Sequence, residues 1–321
     1  MPQFTTKFTD FDPSRVTHTE LEENDRSKGQ KIAYIKYNHP SGGEQNLMLQ
    51  LPFKQITNGG VPREGEFYST ARDRAFVKFP LEKVIIPRDK KADESKSKEQ
   101  LLKEEKEREK LAKEHFEKLM SVIKELDQIM SSKEKKDELF GKKAKKYQYI
   151  PIVREPQVDE DYEGPPKPPY MKLKLNMDYP DDIVKTQLYS SELIDGKRVR
   201  ELIEATTVDE FAENVRYLST VRFIIQPVKM WAQNPSKPDP QYGITFKIIK
   251  AEVEPMEGNN NSLSSYLNND AFVDSDDDDE NTKELSGATA ETKDEDSDED
   301  EDSDEDSDED SEESDPEPEP Q

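Results

Sequence analysis

Between Lys31 and Pro255 the apolar residues of this chain fall in short runs, and most of the runs alternate. In NLMLQLPF (46–53), Leu47, Leu49, Leu51 and Phe53 alternate with Met48, Gln50 and Pro52, the period of two that a half-buried strand requires. KIAYIKY (31–37) precedes it across the loop NHPSGGEQ. ITNGGVPREG (56–65) reads as a turn cluster, and the strand-like runs EFYSTARDRAFVKFPL (66–81) and KVIIP (83–87) follow it. Further strands are expected at YQYIPIV (147–153), MKLKL (171–175) and IVKTQLY (183–189), with a Pro-rich surface loop over 154–170. TVRFIIQPVKMWAQ (220–233) and YGITFKIIKAEVEP (242–255) are two apolar strands joined by the turn-rich NPSKPDPQ, which predicts a β-hairpin.

Residues 97–140 carry a different period. Ser97 and Gln100 have capping-box spacing, and more than thirty residues without Gly or Pro follow. Ala112, Phe116, Leu119, Met120, Ile123, Leu126 and Met130 form one stripe at i, i+3/i+4 spacing. Glu104–Arg108, Glu109–Lys113 and Glu114–Lys118 are i, i+4 pairs in the favourable order. One long helix is predicted, solvated in its first half and stopped at Gly141, with its stripe packed on the body or on its own copy in a homo-oligomer. A second capping box, Thr207 to Glu210, opens a short helix through about Leu218. Residues 1–28 are mixed and polar and read as a flexible N-terminal arm. Seven or more short strands with two helices predict a mainly β fold with α additions. The architecture expected is an OB-like β-barrel over 29–256, interrupted by the helical insertion 97–140.

Charge changes this picture at one end. The 321 residues hold 47 Lys+Arg against 73 Asp+Glu, a net charge of −26. Residues 270–321 contain 28 of the acids and only Lys283 and Lys293 among the bases, so 1–269 keep 45 of each and are neutral. The sequence is thus a neutral body with a polyanionic extension, which repeats Ser-Asp-Glu-Asp at Ser297, Ser303 and Ser307. Residues 257–321 are expected to be a disordered linker and acidic tail, because so few apolar side chains cannot offset the entropy of ordering. No run of 18 apolar residues exists and the start lacks a signal-peptide core, so a soluble, intracellular protein away from membranes is expected.

Catalytic equipment is sparse. With no cysteine and only His18, His39 and His115, thiol and imidazole chemistry have few groups to use. GxxxxGK[ST], GxGxxG after a strand, GxSxG and HExxH are absent, so neither an enzyme nor a cofactor is expected. What stands out is cations interleaved with aromatics on predicted strands. Arg72, Arg74, Phe76 and Lys78 are spaced to share one face, as are Tyr34 and Lys36, and Lys172 and Lys174. Arg222, Lys229, Trp231 and Lys247 repeat the theme on the closing hairpin. Cations that track phosphates beside rings that stack on bases are how single strands are held without sequence preference. Alternating lysines also suit the wet face of any sheet, and Phe76 and Trp231 also suit a core.

The stretch VRFIIQPVKMWAQ…YGITFKIIKAEVEP, followed by the acidic tail, resembles the C-terminal part of single-stranded DNA-binding proteins of nucleocytoplasmic large DNA viruses, of the phycodnavirus and mimivirus type. Val221–Ile225, Trp231-Ala232 and Tyr242–Lys247 carry the likeness. Those proteins are in turn similar to bacteriophage replication proteins with an OB core and an acidic tail. The resemblance implies sequence-tolerant binding of single-stranded DNA in viral replication, recombination or repair. It also implies a tail that competes for the groove and recruits viral replication proteins, in the host nucleus or a cytoplasmic viral factory. Two other readings remain open: a histone-chaperone-like protein whose tail binds basic proteins, and a virion or scaffold protein that oligomerises through its helix.

Overall fold

The computed structural model describes residues 5–254, apart from 26, 58, 90–92, 94–95, 157–163 and 165. The expected linker and acidic tail, 257–321, lie outside the described residues. In chain order the strands are Thr5–Lys7 (β1), Val16–His18 (β2), Glu22–Glu23 (β3), Lys31–His39 (β4), Gly43–Gln45 (β5), Met48–Gln50 (β6), Phe53–Gln55 (β7), Phe76–Pro80 (β8) and Val84–Ile85 (β9). The helices Lys98–Ser131 (α1) and Lys133–Phe140 (α2) follow. Then come Gln148–Tyr149 (β10), Tyr170–Leu175 (β11), Met177–Asp178 (β12), Ile183–Val184 (β13), Gln187–Ile194 (β14), Lys197–Ile203 (β15), the helix Val208–Asn214 (α3), Thr220–Ala232 (β16) and Gln241–Glu254 (β17).

The β16–β17 hairpin is the spine of the sheet. Its two strands pair antiparallel from Thr220 opposite Glu254 to Ala232 opposite Tyr242. β4, β6 and β7 line up along the other edge of β16, and β10, β11 and β14 along the other edge of β17. β11 then carries β8, and β14 carries β15. The hairpin register shifts twice, between Ile224 and Ile225 and between Pro227 and Lys229. Bulges of this kind raise local twist and bend a strand, and the sheet curls into a half-barrel.

One face of this sheet lines the core. Leu47, Leu49 and Leu51 are buried in it, as their alternation requires, but the phase slips at Pro52: Lys54 takes the core side, and Phe53 is buried on the opposite side under Arg198 and Arg222. The stripe of α1 belongs to the same cluster through Leu119, Ile123, Leu126 and Met130, joined by Val122 from outside the predicted stripe, so the helix packs on its own sheet. Ser97 caps it as predicted: its hydroxyl accepts the Gln100 N–H, and the Gln100 side chain accepts the Ser97 N–H. The expected single helix is two, however. Ser132 is extended and its hydroxyl caps α2 by accepting the Lys135 N–H, so α1 stops at Ser131 and only α2 reaches Gly141. α3 also ends early, at Asn214.

The segment read as an arm is part of the sheet. β1 pairs in parallel with β6, β2 and β3 pair with β4, and Phe8, Phe11 and Val16 are buried. These three apolar residues follow neither period, which is why the pattern hid them. The run 66–81 is shorter than expected, because residues 66–75 are loop and turn and only Phe76–Pro80 is strand. Among the described residues no helix is long and apolar enough to cross a membrane.

Candidate nucleic-acid interface

Residues directly opposite on neighbouring strands share a face, so the register decides which candidates meet. On β8 and β11, Lys78 lies opposite Lys172 and Phe76 opposite Lys174. Lys174 lies opposite Lys247 on β17, and Lys247 opposite Gln226 on β16. Past the second bulge, Lys229 lies opposite both Thr245 and Tyr34, and Trp231 opposite Gly243 and Ile32. The residues that alternate with them, Val77, Leu173, Phe246, Met230 and Ala33, are buried in the core. Tyr34, Lys36, Phe76, Lys78, Lys172, Lys174, Lys229, Trp231 and Lys247 therefore occupy one face of the curled sheet, turned away from the core.

Aromatic rings are set among these cations. The Lys172 ammonium sits 4.5 Å from the centroid of Phe76, and that of Lys78 sits 5.6 Å from Tyr170. Tyr34 is 48% exposed, the most accessible ring of the candidate set. Trp231 is half-buried, and its position depends on a glycine: a Cβ on Gly243 would lie 3.3 Å from both the indole Cζ2 and the Ile150 carbonyl oxygen. The missing side chain lets the indole lie down on the sheet. Lys36 donates to the Asn46 side chain at 3.0 Å.

Three of the sequence-predicted cations do other work, and so does one ring. Arg74 is buried, and its guanidinium binds Asp209 at the start of α3 and lies 3.8 Å from Glu64. It fastens a turn to a helix and presents nothing to a ligand. Arg72, also in that turn, pairs with Asp182 at 3.0 Å and lies over the Tyr179 ring. Both precede the strand, so their spacing from Lys78 does not bring them to its face. Phe76 is on the face but only 2% exposed, covered by Tyr68 and Lys172, so it is no platform for a base. Arg222 stacks on Phe53 and binds Glu252, a buried carboxylate that Arg198 and Arg200 also approach. Burial pushes the Glu252 carboxyl up, and the hydrogen bonds and charge of Arg222 outweigh it, leaving the group below the usual glutamate range.

The sequence reading also missed residues. Lys250 lies opposite Ile224, which shares the outward side of β16 with Arg222 and Gln226, so it extends the cationic row. It sits 5.8 Å from the Tyr189 ring. In the sequence Lys250 is in phase with the buried Ile248, and only the bulge turns it outward. Tyr170 was missed because it stands at a strand end beside a Pro-rich loop.

Fold and face together define a mainly β protein with a curled sheet, a long packed helix and a lysine-rich outer surface. No family model matches the chain. An uncharacterized protein of Acanthamoeba polyphaga mimivirus is 28% identical over 280 residues, covering 77% of this chain and 60% of the relative. The chain thus spans about 60% of the length of the relative it matches.

Proposed function

We propose that the protein binds single-stranded DNA, without sequence preference, across the outer face of its sheet. The observation that carries this reading is the register, which sets Lys78, Lys172, Lys174, Lys247 and Lys229 in a row across β8, β11, β17 and β16, ending at Tyr34 and Trp231. The same row supports contact with phosphates, while Tyr34 and Trp231 serve stacking at about 1–3 kcal/mol per base. In this reading the curled sheet is an OB-like barrel with α1 inserted, and the similarity to a mimivirus protein supports a viral setting in replication, recombination or repair. The acidic tail competes for the face and recruits replication proteins, and the working residues are the sheet lysines with Tyr34 and Trp231, without Arg74 and Phe76.

The test is fluorescence anisotropy of a labelled oligothymidine of about 30 nucleotides. Replacing Lys172, Lys174 and Lys247 together by Gln is expected to weaken binding and to flatten the logarithmic salt dependence by about 2, at roughly 0.7 per single-strand phosphate contact. Replacing Arg74 with Gln is expected to lower stability without a matching change in that slope. Absence of binding by the native protein at low salt sinks the reading. If basic proteins instead bind through residues 270–321, the chaperone-like alternative takes its place.

A further inference from the structure

An open cavity of about 640 Å³ lies between the C-terminal half of α1, α2 and β10, and none of the sheet lysines lines it. Lys124 from α1, Lys136 from α2 and Lys145 from the turn after it all line it. Among the described residues none of these three ammonium groups has a carboxylate within 4.0 Å. The lining has one acid, Asp127, and its oxygens are already engaged. They accept the Tyr149 hydroxyl at 2.8 Å and the backbone N–H groups of Ile152 at 2.8 Å and Val153 at 3.3 Å. Burial also pushes the Asp127 carboxyl up, against those hydrogen bonds. The cavity is therefore electropositive. The turn Gly141–Lys146 adds exposed Lys142, Lys143 and Lys146 beside it.

Its position relative to the sheet is set by pairing. Gln148 and Tyr149, both in the wall, lie opposite Gln241 and Tyr242 of β17. The next residue of β17, Gly243, lies opposite Trp231. The Ile150 carbonyl oxygen and the Trp231 indole both lie within 3.3 Å of where a Cβ on Gly243 would stand. Ile150 itself sits between two wall residues, Tyr149 and Pro151. Trp231 on the outer face is thus linked to the cavity wall through Gly243 and Ile150, while Tyr149 of the wall turns with Tyr242 toward the core side.

We propose that this cavity is a second phosphate-binding site, which takes the continuation of a single strand as it leaves the sheet face past Trp231. The inference rests on the binding function proposed above. The strand's next phosphates lie between Lys124, Lys136 and Lys145, and Trp231 marks the step between the two sites. Contiguity favours a nucleic-acid strand over an acidic peptide, because a carboxylate run has no use for the aromatic step that joins cavity to sheet.

The experiment compares oligothymidines of about 6 and about 20 nucleotides, within and beyond the span of one OB-sized site. The full chain is titrated beside a Lys124→Gln/Lys136→Gln/Lys145→Gln variant and the corresponding triple Arg variant. All three positions are half-exposed or exposed, and thermal melting checks that the variants fold. The Gln variant is expected to match the native protein on the short oligomer and to lose roughly tenfold on the long one. Its logarithmic salt slope on the long oligomer is expected to fall by about 2, with the Arg variant restoring both. Equal losses at both lengths, or no loss at either, overturn the second site while leaving binding on the sheet intact. A loss that vanishes when residues 270–321 are deleted assigns the cavity to the tail and overturns it too. If the native protein binds neither length, the underlying function fails as well, which the short oligomer reveals by itself.

Discussion

Lys54 has no exposed surface, and its ammonium is enclosed by the Phe116 and Phe79 rings, with centroids at 5.1 and 5.9 Å, and by the Glu82 carbonyl that accepts its proton at 2.5 Å. Burial lowers its pKa to about 7, against the opposing pull of the Glu82 carboxylate. The unfolded chain keeps that proton up to about 10.5, so between pH 7 and 10.5 the unfolded state binds more protons and stability rises with pH. The slope is about 1.4 kcal/mol per pH unit, and the full penalty remains below pH 7. Lys54→Met is therefore expected to raise the urea midpoint at pH 6.5, by an amount that shrinks steadily toward pH 9. A gain of the same size at both pH values refutes a buried ammonium. Nothing in the sequence marks this lysine, whose rings and carbonyl come from β8, α1 and the loop after β8. Arg74 is hidden for a similar reason: its partner Asp209 is 135 residues away, and no local pattern reaches that far. Local signals did exist at Thr70 and Asp73, whose side chains bond each other and close the turn before Phe76. Read with that turn in mind, the strand starts too late to carry either arginine.

At the scale of elements, whatever depends on a neighbouring few residues was legible. The capping boxes at Ser97 and Thr207 and the alternation from Leu47 to Leu51 are all present in the structure, as is the closing hairpin. Ser132 was not, because serine is indifferent within a helix and declares itself only by capping the next one. The β14–β15 hairpin was overlooked because KRVRELI is mostly charged, although Asp195-Gly196, both at positive φ, are a two-residue turn signature. Joining elements is harder to read than forming them, and Asp127 illustrates it. That one carboxylate holds the segment around β10 to α1 by accepting from Tyr149, Ile152 and Val153. Asp127→Ala leaves three donors unmet, at a cost of about 1–3 kcal/mol for each one that stays buried. Faster hydrogen exchange is expected at the Ile152 and Val153 amides, with helix content by circular dichroism unchanged. Unaltered exchange at both amides means the joint is made elsewhere.

For the molecule as a whole, the division between a neutral body and an acidic extension was plain from charge alone, and the cationic face was partly so. Alternation put each lysine on an outer side, and only pairing could bring five of them from four strands into one row. The row and the extension have opposite signs, which is why the extension is expected to compete with DNA. Deleting 270–321 is expected to tighten oligothymidine binding severalfold at low salt and to bring the affinities of full and shortened proteins together as salt rises, since screening weakens an exposed anion's hold. Equal affinities at low salt defeat the idea of competition.

The hairpin spine has a consequence for how the protein comes into being. β4, β6 and β7 are made early, yet each leaves one edge open until β16 exists. Between His39 and Thr220 the ribosome adds about 180 residues, which at about 5–20 residues per second takes on the order of ten to forty seconds. Throughout that interval the nascent chain carries unfinished strand edges, the kind of surface that pairs with the wrong neighbour. Those edges are covered only when β16 arrives, and with β17 it is the last strand made among the described residues.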